Sequence, residues 1–378
     1  MTILLSADRV LTGTETLAPG WVEFDGGVIG AVGAGAPPRP ADVPLGAVTV
    51  VPGFVDMHTH GGGSGAFPEA TVESSTAAVQ LHARHGTTRL LASLVAAHPE
   101  QLLHQVDVLA DQVDAGLIGG IHLEGPWLSP RRLGAHDPSA LREPDPAEIE
   151  QLLTAGRGSI RMVTIAPELN GALPAIRQFV DAGVRVAIGH TDASYEQVRA
   201  AVVAGATIAT HLFNAMRPVH HREPGPVVAL TEDPRVIVEL ITDGVHLHPA
   251  LYRWVTQEVG VGRVALITDA MAATGMADGA YTLGAMDVEV VDGIARVAGT
   301  NTIAGSTATM DQAFRFAVTN SGLPLEQALP IAVAQACLNP ARAIGLPADG
   351  LASGAAADLV VLDDDLRVVR VMRQGTWL

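Results

Sequence analysis

The stretch Val50-Val51-Pro52-Gly53-Phe54-Val55-Asp56-Met57-His58-Thr59-His60-Gly61 reads as an apolar strand, residues 50–57, that stops at two histidines one residue apart. In extended backbone, residues i and i+2 point to the same side. The imidazoles of His58 and His60 can therefore face one point, as two ligands of a metal ion must. A lone histidine at a strand end is most often just a polar terminus. A His-x-His pair that closes an apolar strand and runs into Gly61-Gly62-Gly63 points further.

Outward from this strand, the middle of the chain alternates apolar strands with amphipathic segments, the pattern of parallel βα units. Strands are expected at 50–57, 88–94, 117–123, 160–165, 184–188, 207–210, 236–241 and 264–268, with helices between most of them, for example 99–114 and 173–182. Eight such units close naturally into a (β/α)8 barrel of the TIM type. An open doubly wound sheet would want a Gly-x-Gly-x-x-Gly loop after its first strand, and Gly61-Gly62-Gly63 lacks that spacing. Beyond the eighth strand, residues 281–297 read as a hairpin around Asp292-Gly293, followed by helices at 307–319, 324–338 and 340–344.

Both ends of the chain are β-rich. Residues 3–11 and 21–32 are strand-like, with a hairpin signal at Asp25-Gly26-Gly27. Residues 357–362 and 368–372 are short apolar strands joined by Asp363-Asp364-Asp365. The expected organisation is one small sheet domain from residues 1–50 and 351–378, around a barrel of residues 51–350.

Composition narrows the chemistry. The 378 residues are 48% hydrophobic, enough for a sizeable core. A net charge of −17 argues against nucleic acid and against an anionic membrane surface, which call for a basic face. No run approaches the roughly 18 apolar residues of a membrane span. Asp8 and Arg9 interrupt what would be the apolar centre of a signal peptide, and the single cysteine, Cys337, fits a reducing compartment and a packing role. A cytoplasmic protein is expected. All 23 basic residues are arginine and lysine is absent, which excludes Schiff-base lysines, lysine bases and carbamylated-lysine metal bridges.

Ligand-type residues fall at the strand ends. Strand one ends at His58 and His60, strand three at Glu124, strand five at His190, strand six at His211 and strand eight at Asp269; His246 lies just past strand seven. In a barrel these ends share the C-terminal rim, where barrel enzymes keep their active sites. Histidines and carboxylates without a second cysteine suit a divalent ion such as Zn, Fe, Mn or Co. His82, His85, His98 and His104 lie on helical or turn segments and read as packing or surface residues. His122, two residues before Glu124, reads as a barrel-interior residue.

At this point the residues carry a resemblance. PGFVDMHTHG resembles the opening signature of the amidohydrolase superfamily. HLEGPWLSPRRLGAHDP (122–138), GHTDAS (189–194), HLFNAM (211–216), REPG (222–225), DGVH (243–246), LITDAM (266–271) and AGST (304–307) are similar to the motifs of the N-acetylglucosamine-6-phosphate deacetylase family, in the family's order and over almost the whole chain. The resemblance implies a barrel with a small β-sandwich from both termini. It implies a metal site made by Glu124, His190 and His211, with Glu124 in the bridging place that a carbamylated lysine takes in other relatives. His58 and His60 would add a second ion or surround a single one, so one or two ions per subunit are expected.

The implied reaction is hydrolysis of the acetamide of N-acetylglucosamine 6-phosphate to glucosamine 6-phosphate and acetate, in amino-sugar catabolism or cell-wall recycling. Water activated at the metal would attack, Asp269 would serve as general base and then general acid, and His136 would hydrogen-bond the substrate near the carbonyl oxygen. Asn214, Ala215, Arg222 and His246 match the family's phosphate- and sugar-contacting positions. In the family part of that pocket comes from a neighbouring subunit, which implies a homodimer with a shared phosphate site. Two competing readings stay open: another lysine-free amidohydrolase such as a nucleobase deaminase, and a catalytically inactive homologue that binds a sugar phosphate.

Overall fold

The computed structural model describes residues 2–378. Eight parallel strands follow one another in chain order, each hydrogen-bonded to the next: β1 (Phe54–Thr59), β2 (Thr87–Leu94), β3 (Ile121–Glu124), β4 (Ile160–Ile165), β5 (Arg185–Ile188), β6 (Ile208–Ala209), β7 (Ile237–Ile241) and β8 (Val264–Ile267). β8 returns to β1. The Asp269 N–H donates to the His58 carbonyl at 2.9 Å, and the Thr268 hydroxyl donates to Asp56 Oδ2 at 2.5 Å. The expected (β/α)8 barrel is the architecture found. Its strands are nearly all buried, as parallel strands covered by crossover helices must be.

The outer layer is α1 (Val72–Arg84), α2 (Pro99–Asp114), α3 (Pro146–Gly156), α4 (Ala172–Asp181), α5 (Tyr195–Ala204), α6 (Gly225–Glu232), α7 (Pro249–Val259) and α8 (Met310–Asn320). Each start is written locally. Thr71 caps α1 by accepting from the Ser74 N–H at 3.2 Å, and Ser194 and Gln197 form a reciprocal capping box on α5. No helix among the described residues is long and apolar enough to cross a membrane.

The terminal segments form two sheets. One orders Val28–Ala34, Gly20–Asp25, Ile3–Ala7 and Val43–Pro44; the other runs from Thr376–Trp377 through Val368–Arg373, Leu359–Leu362, Thr49–Pro52 and Arg9–Leu11 to Thr16–Leu17. Leu5, Val10, Val22, Phe24, Val50, Leu359, Val361 and Met372 fill the space between them. The hairpin turns at Gly26-Gly27, both with positive φ, the conformation that glycine adopts without cost.

Three boundaries differ from the sequence expectation. The first apolar run is two strands, Thr49–Pro52 in the terminal sheet and β1 in the barrel. Gly53 divides them, where a Cβ would come within 2.2 Å of Thr88 Oγ1; the chain changes sheets there because only glycine allows the approach. Residues 3–11 divide likewise, into Ile3–Ala7 and Arg9–Leu11 in different sheets. The third strand starts later than expected, because Gly116 takes a φ of +75° and the Leu117 N–H turns back to the Gln112 carbonyl, closing α2. After β8, the excursion at 279–297 is a three-stranded antiparallel meander rather than a single hairpin.

His82 on α1 is fully buried and donates Nε2–H to the Gly61 carbonyl at 2.9 Å, tying the helix to the turn after His60. Burial pushes its imidazole down to about 4. Above pH 6.5 both folded and unfolded chains leave it neutral. Below that the unfolded chain takes up the proton and the folded chain does not, so stability falls down to about pH 4. At pH 5 this amounts to about 2 kcal/mol. His82→Gln keeps a donor and removes the titration; urea unfolding at pH 7 and pH 5 should show a loss smaller by about that amount, and an unchanged loss would dismiss the effect.

Candidate metal centre

The strand ends named from sequence converge. Ligand atoms of Glu124, His190 and His211 lie within 4.8 Å of one another, and so do those of His58, His60 and Asp269. All six residues are buried. Glu124 faces both groups. Its Oε1 is 3.1 Å from His190 Nε2 and 3.0 Å from His211 Nε2, while its Oε2 is 3.1 Å from His60 Nε2. On the other side, Asp269 Oδ1 lies 3.2 Å from His60 Nε2 and 3.5 Å from His58 Nε2.

The backbone is bent to make this possible. His190, His211 and Asp269, two residues past the ends of β5, β6 and β8, have φ of +46°, +27° and +50°. Non-glycine residues pay for that region with strain, and such residues cluster at functional sites.

Hydrogen bonds fix which imidazole nitrogen carries the proton. His190 Nδ1 donates to the Arg132 carbonyl at 2.9 Å, His60 Nδ1 to the Ser93 carbonyl at 3.1 Å, and His58 Nδ1 to Glu239 Oε2 at 3.1 Å. Each leaves its Nε2 lone pair turned inward. His58 Nε2 and His60 Nε2 stand 3.3 Å apart, and His190 Nε2 and His211 Nε2 3.1 Å. Lone pairs and carboxylates at this separation repel unless a cation sits among them. Imidazole and carboxylate without thiolate is a donor set for Zn, Fe, Mn or Co, so the residues fit a divalent metal. Outward Nδ1–H bonds of this kind are the usual way a ligand imidazole is oriented.

His136 is wired the opposite way. Its Nδ1 accepts the Ala96 N–H at 3.1 Å, so its Nε2 carries the hydrogen and points into the site, 3.4 Å from Glu124 Oε2. Burial holds its pKa down at about 4, so it stays a neutral donor. Charge on the other groups is set by the cluster. Burial opposes ionisation of Glu124 and Asp269, but the surrounding histidines outweigh it and keep both carboxyls well below their usual range. Burial also opposes charge on His58; Glu124, Glu239 and Asp269 outweigh it and raise its pKa, and a cation held at Nε2 would take the place of that proton.

The site opens into a cavity of about 550 Å³ lined by His60, Glu124, His136, His190, His211, Asp269, Asn214, Ala215 and His246, together with the segment Arg131–Ala135 and residues Leu283 and Asn301–Ile303. That volume suits a small polar ligand. Asn214 also caps its own turn, donating Nδ2–H to the His211 carbonyl at 3.1 Å. His246 is held by Asp243, whose Oδ2 accepts its Nδ1–H at 2.7 Å; burial opposes a charge on the ring, and Asp243 raises its pKa nonetheless.

Arg222 is the site residue that this chain does not bring to its own cavity. It is exposed, with Nη1 2.7 Å from His221 Nε2. Its neighbour Glu223 pairs instead with Arg217. His122 behaves as read, buried in the barrel between Ser93 Oγ and Thr164 Oγ1, each at 2.9 Å.

The amidohydrolase family profile matches residues 49–378, most of the chain and the whole barrel. The chain belongs to the amidohydrolase family. It is 37% identical to an N-acetylgalactosamine-6-phosphate deacetylase of Escherichia coli O157:H7, over 99% of each chain. It is 36% identical to an N-acetylglucosamine-6-phosphate deacetylase of Vibrio furnissii, over 98% of this chain and 93% of that one. Among solved structures it is similar to an aspartate-to-alanine mutant of N-acetyl-D-glucosamine-6-phosphate deacetylase from Mycobacterium smegmatis in complex with N-acetyl-D-glucosamine-6-phosphate. The identity is 65% and the TM-score 0.99, covering 100% of this chain and 99% of that one.

Within this amidohydrolase site, sequence reasoning passed over three residues. Arg131 and Arg132 line the cavity and share Asp192, whose carboxylate they meet at 3.3 and 2.8 Å. They lie inside the quoted 122–138 motif and were the visible cations in it. Glu239 is fully buried in β7 beside His58; a lone acid within the apolar run Val-Ile-Val-Glu-Leu-Ile was its only signal.

Proposed function

We propose that this chain hydrolyses the acetamide of N-acetylglucosamine 6-phosphate, releasing glucosamine 6-phosphate and acetate, and that the two ligand groups, with Glu124 turning one oxygen toward each, would hold two divalent ions. The observation that carries the reading is the opposed wiring of the histidines: three present lone pairs inward while His136, alone, presents a hydrogen. Bound there, a divalent metal lowers the pKa of water toward neutrality and polarises the carbonyl. Asp269, ionised and facing the cavity, takes the proton of the attacking water and then delivers it to the leaving amine. His136 Nε2–H hydrogen-bonds the carbonyl oxygen as it gains charge, in the manner of an oxyanion hole. Asn214, Ala215 and His246 orient the sugar phosphate.

The phosphate requires cations. Arg131 and Arg132 line the same cavity. Arg222, exposed and outside the lining of its own cavity, serves the cavity of a second subunit in a homodimer. Val219, three residues before Arg222 in the same loop, is a half-exposed hydrophobic, surface that a partner would cover. Arg222→Ala should raise KM for the phosphorylated sugar by roughly 10–100-fold, the weight of a hydrogen bond to a charged group, with kcat little changed. An equal effect on unphosphorylated N-acetylglucosamine would sink the phosphate assignment.

The deciding experiment is metal content by mass spectrometry alongside acetate release from N-acetylglucosamine 6-phosphate. Ammonia in place of acetate would favour a deaminase. Absence of bound ion and of hydrolysis after reconstitution would favour an inactive sugar-phosphate binder.

A further inference from the structure

We infer that Glu239 is a positioning residue for the metal centre, fixing His58 as a ligand and coupling the two ligand groups. The inference rests on the two-ion reading above. β7, like β2 and β4, supplies no ligand from its end, and Glu239 is the contribution it makes from inside the barrel. Its side chain is fully buried. One oxygen, Oε2, accepts two hydrogen bonds: from His58 Nδ1–H at 3.1 Å and from the His211 backbone N–H at 3.1 Å. The other oxygen, Oε1, is buried with no partner.

Both contacts bear on the centre. The first fixes the tautomer of His58. With a hydrogen held on Nδ1 by a carboxylate, Nε2 is the nitrogen left for a metal, and it faces Glu124 Oε1 and Asp269 Oδ1, each 3.5 Å away. The second anchors the backbone of His211 where φ is +27°, so the ligand of the other group is pinned by the same oxygen. Glu239 thus touches one residue of each group from behind, as Glu124 does from within. A buried carboxylate with one oxygen left unpaired is costly in an apolar barrel. The orientation of the two ligands is what the fold gains in return, and carboxylates behind a ligand imidazole typically change metal affinity 10–100-fold.

The test is cobalt binding, which needs no substrate and no turnover. Metal-free wild type and the variants Glu239→Gln and Glu239→Leu are titrated with Co(II), reading equivalents, dissociation constants and visible absorption. Wild type should hold two equivalents per chain. Glu239→Gln offers an oxygen to the same two donors without the full charge; it should keep two equivalents, with the weaker bound 10–100-fold less tightly. Glu239→Leu should keep one equivalent and lose the visible bands of the other. Wild-type affinity for both ions in Glu239→Gln would overturn the role, whatever the melting temperature does, and so would two tight equivalents in Glu239→Leu. Fewer than two equivalents in the wild type would instead overturn the two-ion reading on which the role depends.

Discussion

Asp269→Asn should lower kcat by about 10³-fold or more while KM moves only a few-fold, since loss of a positioned acid/base removes transition-state and not ground-state interactions. The substitution is clean for two reasons. Asn tolerates the left-handed region that Asp269 occupies at φ +50°, so the bend after β8 survives. Its amide oxygen still faces His60 Nε2, at the 3.2 Å where the carboxylate now lies, so metal content should stay near the wild-type value. What Asn lacks is any capacity to take a proton from water and return it to the amine. Steady-state kinetics paired with metal analysis on the same preparation checks both halves. A kcat within tenfold of wild type, with the metal complement intact, would remove Asp269 from the proton transfer.

Glu124→Ala should do more damage by a different route. Glu124 is the residue whose two oxygens face the two ligand groups, Oε1 toward His190 and His211 and Oε2 toward His60. Without it, inward lone pairs remain with no carboxylate between them, and His136 Nε2–H loses the acceptor it has 3.4 Å away. The expected result is less than one metal equivalent per chain and acetate release at the detection floor. Added metal should not restore activity at concentrations that saturate the wild type. Near-normal metal content in Glu124→Ala would show that the His58, His60 and Asp269 group binds on its own, and would overturn Glu124 as the bridge.

The two predictions separate chemistry from assembly. Asp269→Asn alters what one oxygen can do in a centre that still forms, whereas Glu124→Ala removes the atoms around which the centre forms. The profiles therefore differ in metal content, and that difference is the control for each.

Much of the site was legible in the chain because it depends on short-range rules. Alternation in extended backbone put His58 and His60 on one side. The βα pattern implied a barrel, and a barrel gathers its strand ends on one rim, so Glu124, His190, His211 and Asp269 could be assembled on paper from their positions at the ends of apolar runs. Each of these inferences needs only a residue and its near neighbours in sequence, plus one global rule.

The remainder needed tertiary structure because it rests on contacts between residues far apart in the chain. Where the first apolar run divides was set by Thr88 pressing on Gly53, not by any change in hydrophobicity between residues 50 and 57. That Arg222 is exposed and does not line its own cavity is set by the path of the loop after β6. The proton positions are the sharpest case. His58 and His136 are the same residue type in the same cluster, yet one presents a lone pair and the other a hydrogen, because Glu239 accepts from the first and the Ala96 N–H donates to the second. Sequence by itself determined which residues meet at the rim. Only the packed barrel decided what each offers there, since a tautomer is chosen by the partner on the far side of the ring, and that partner is 181 residues away from His58 and 40 from His136.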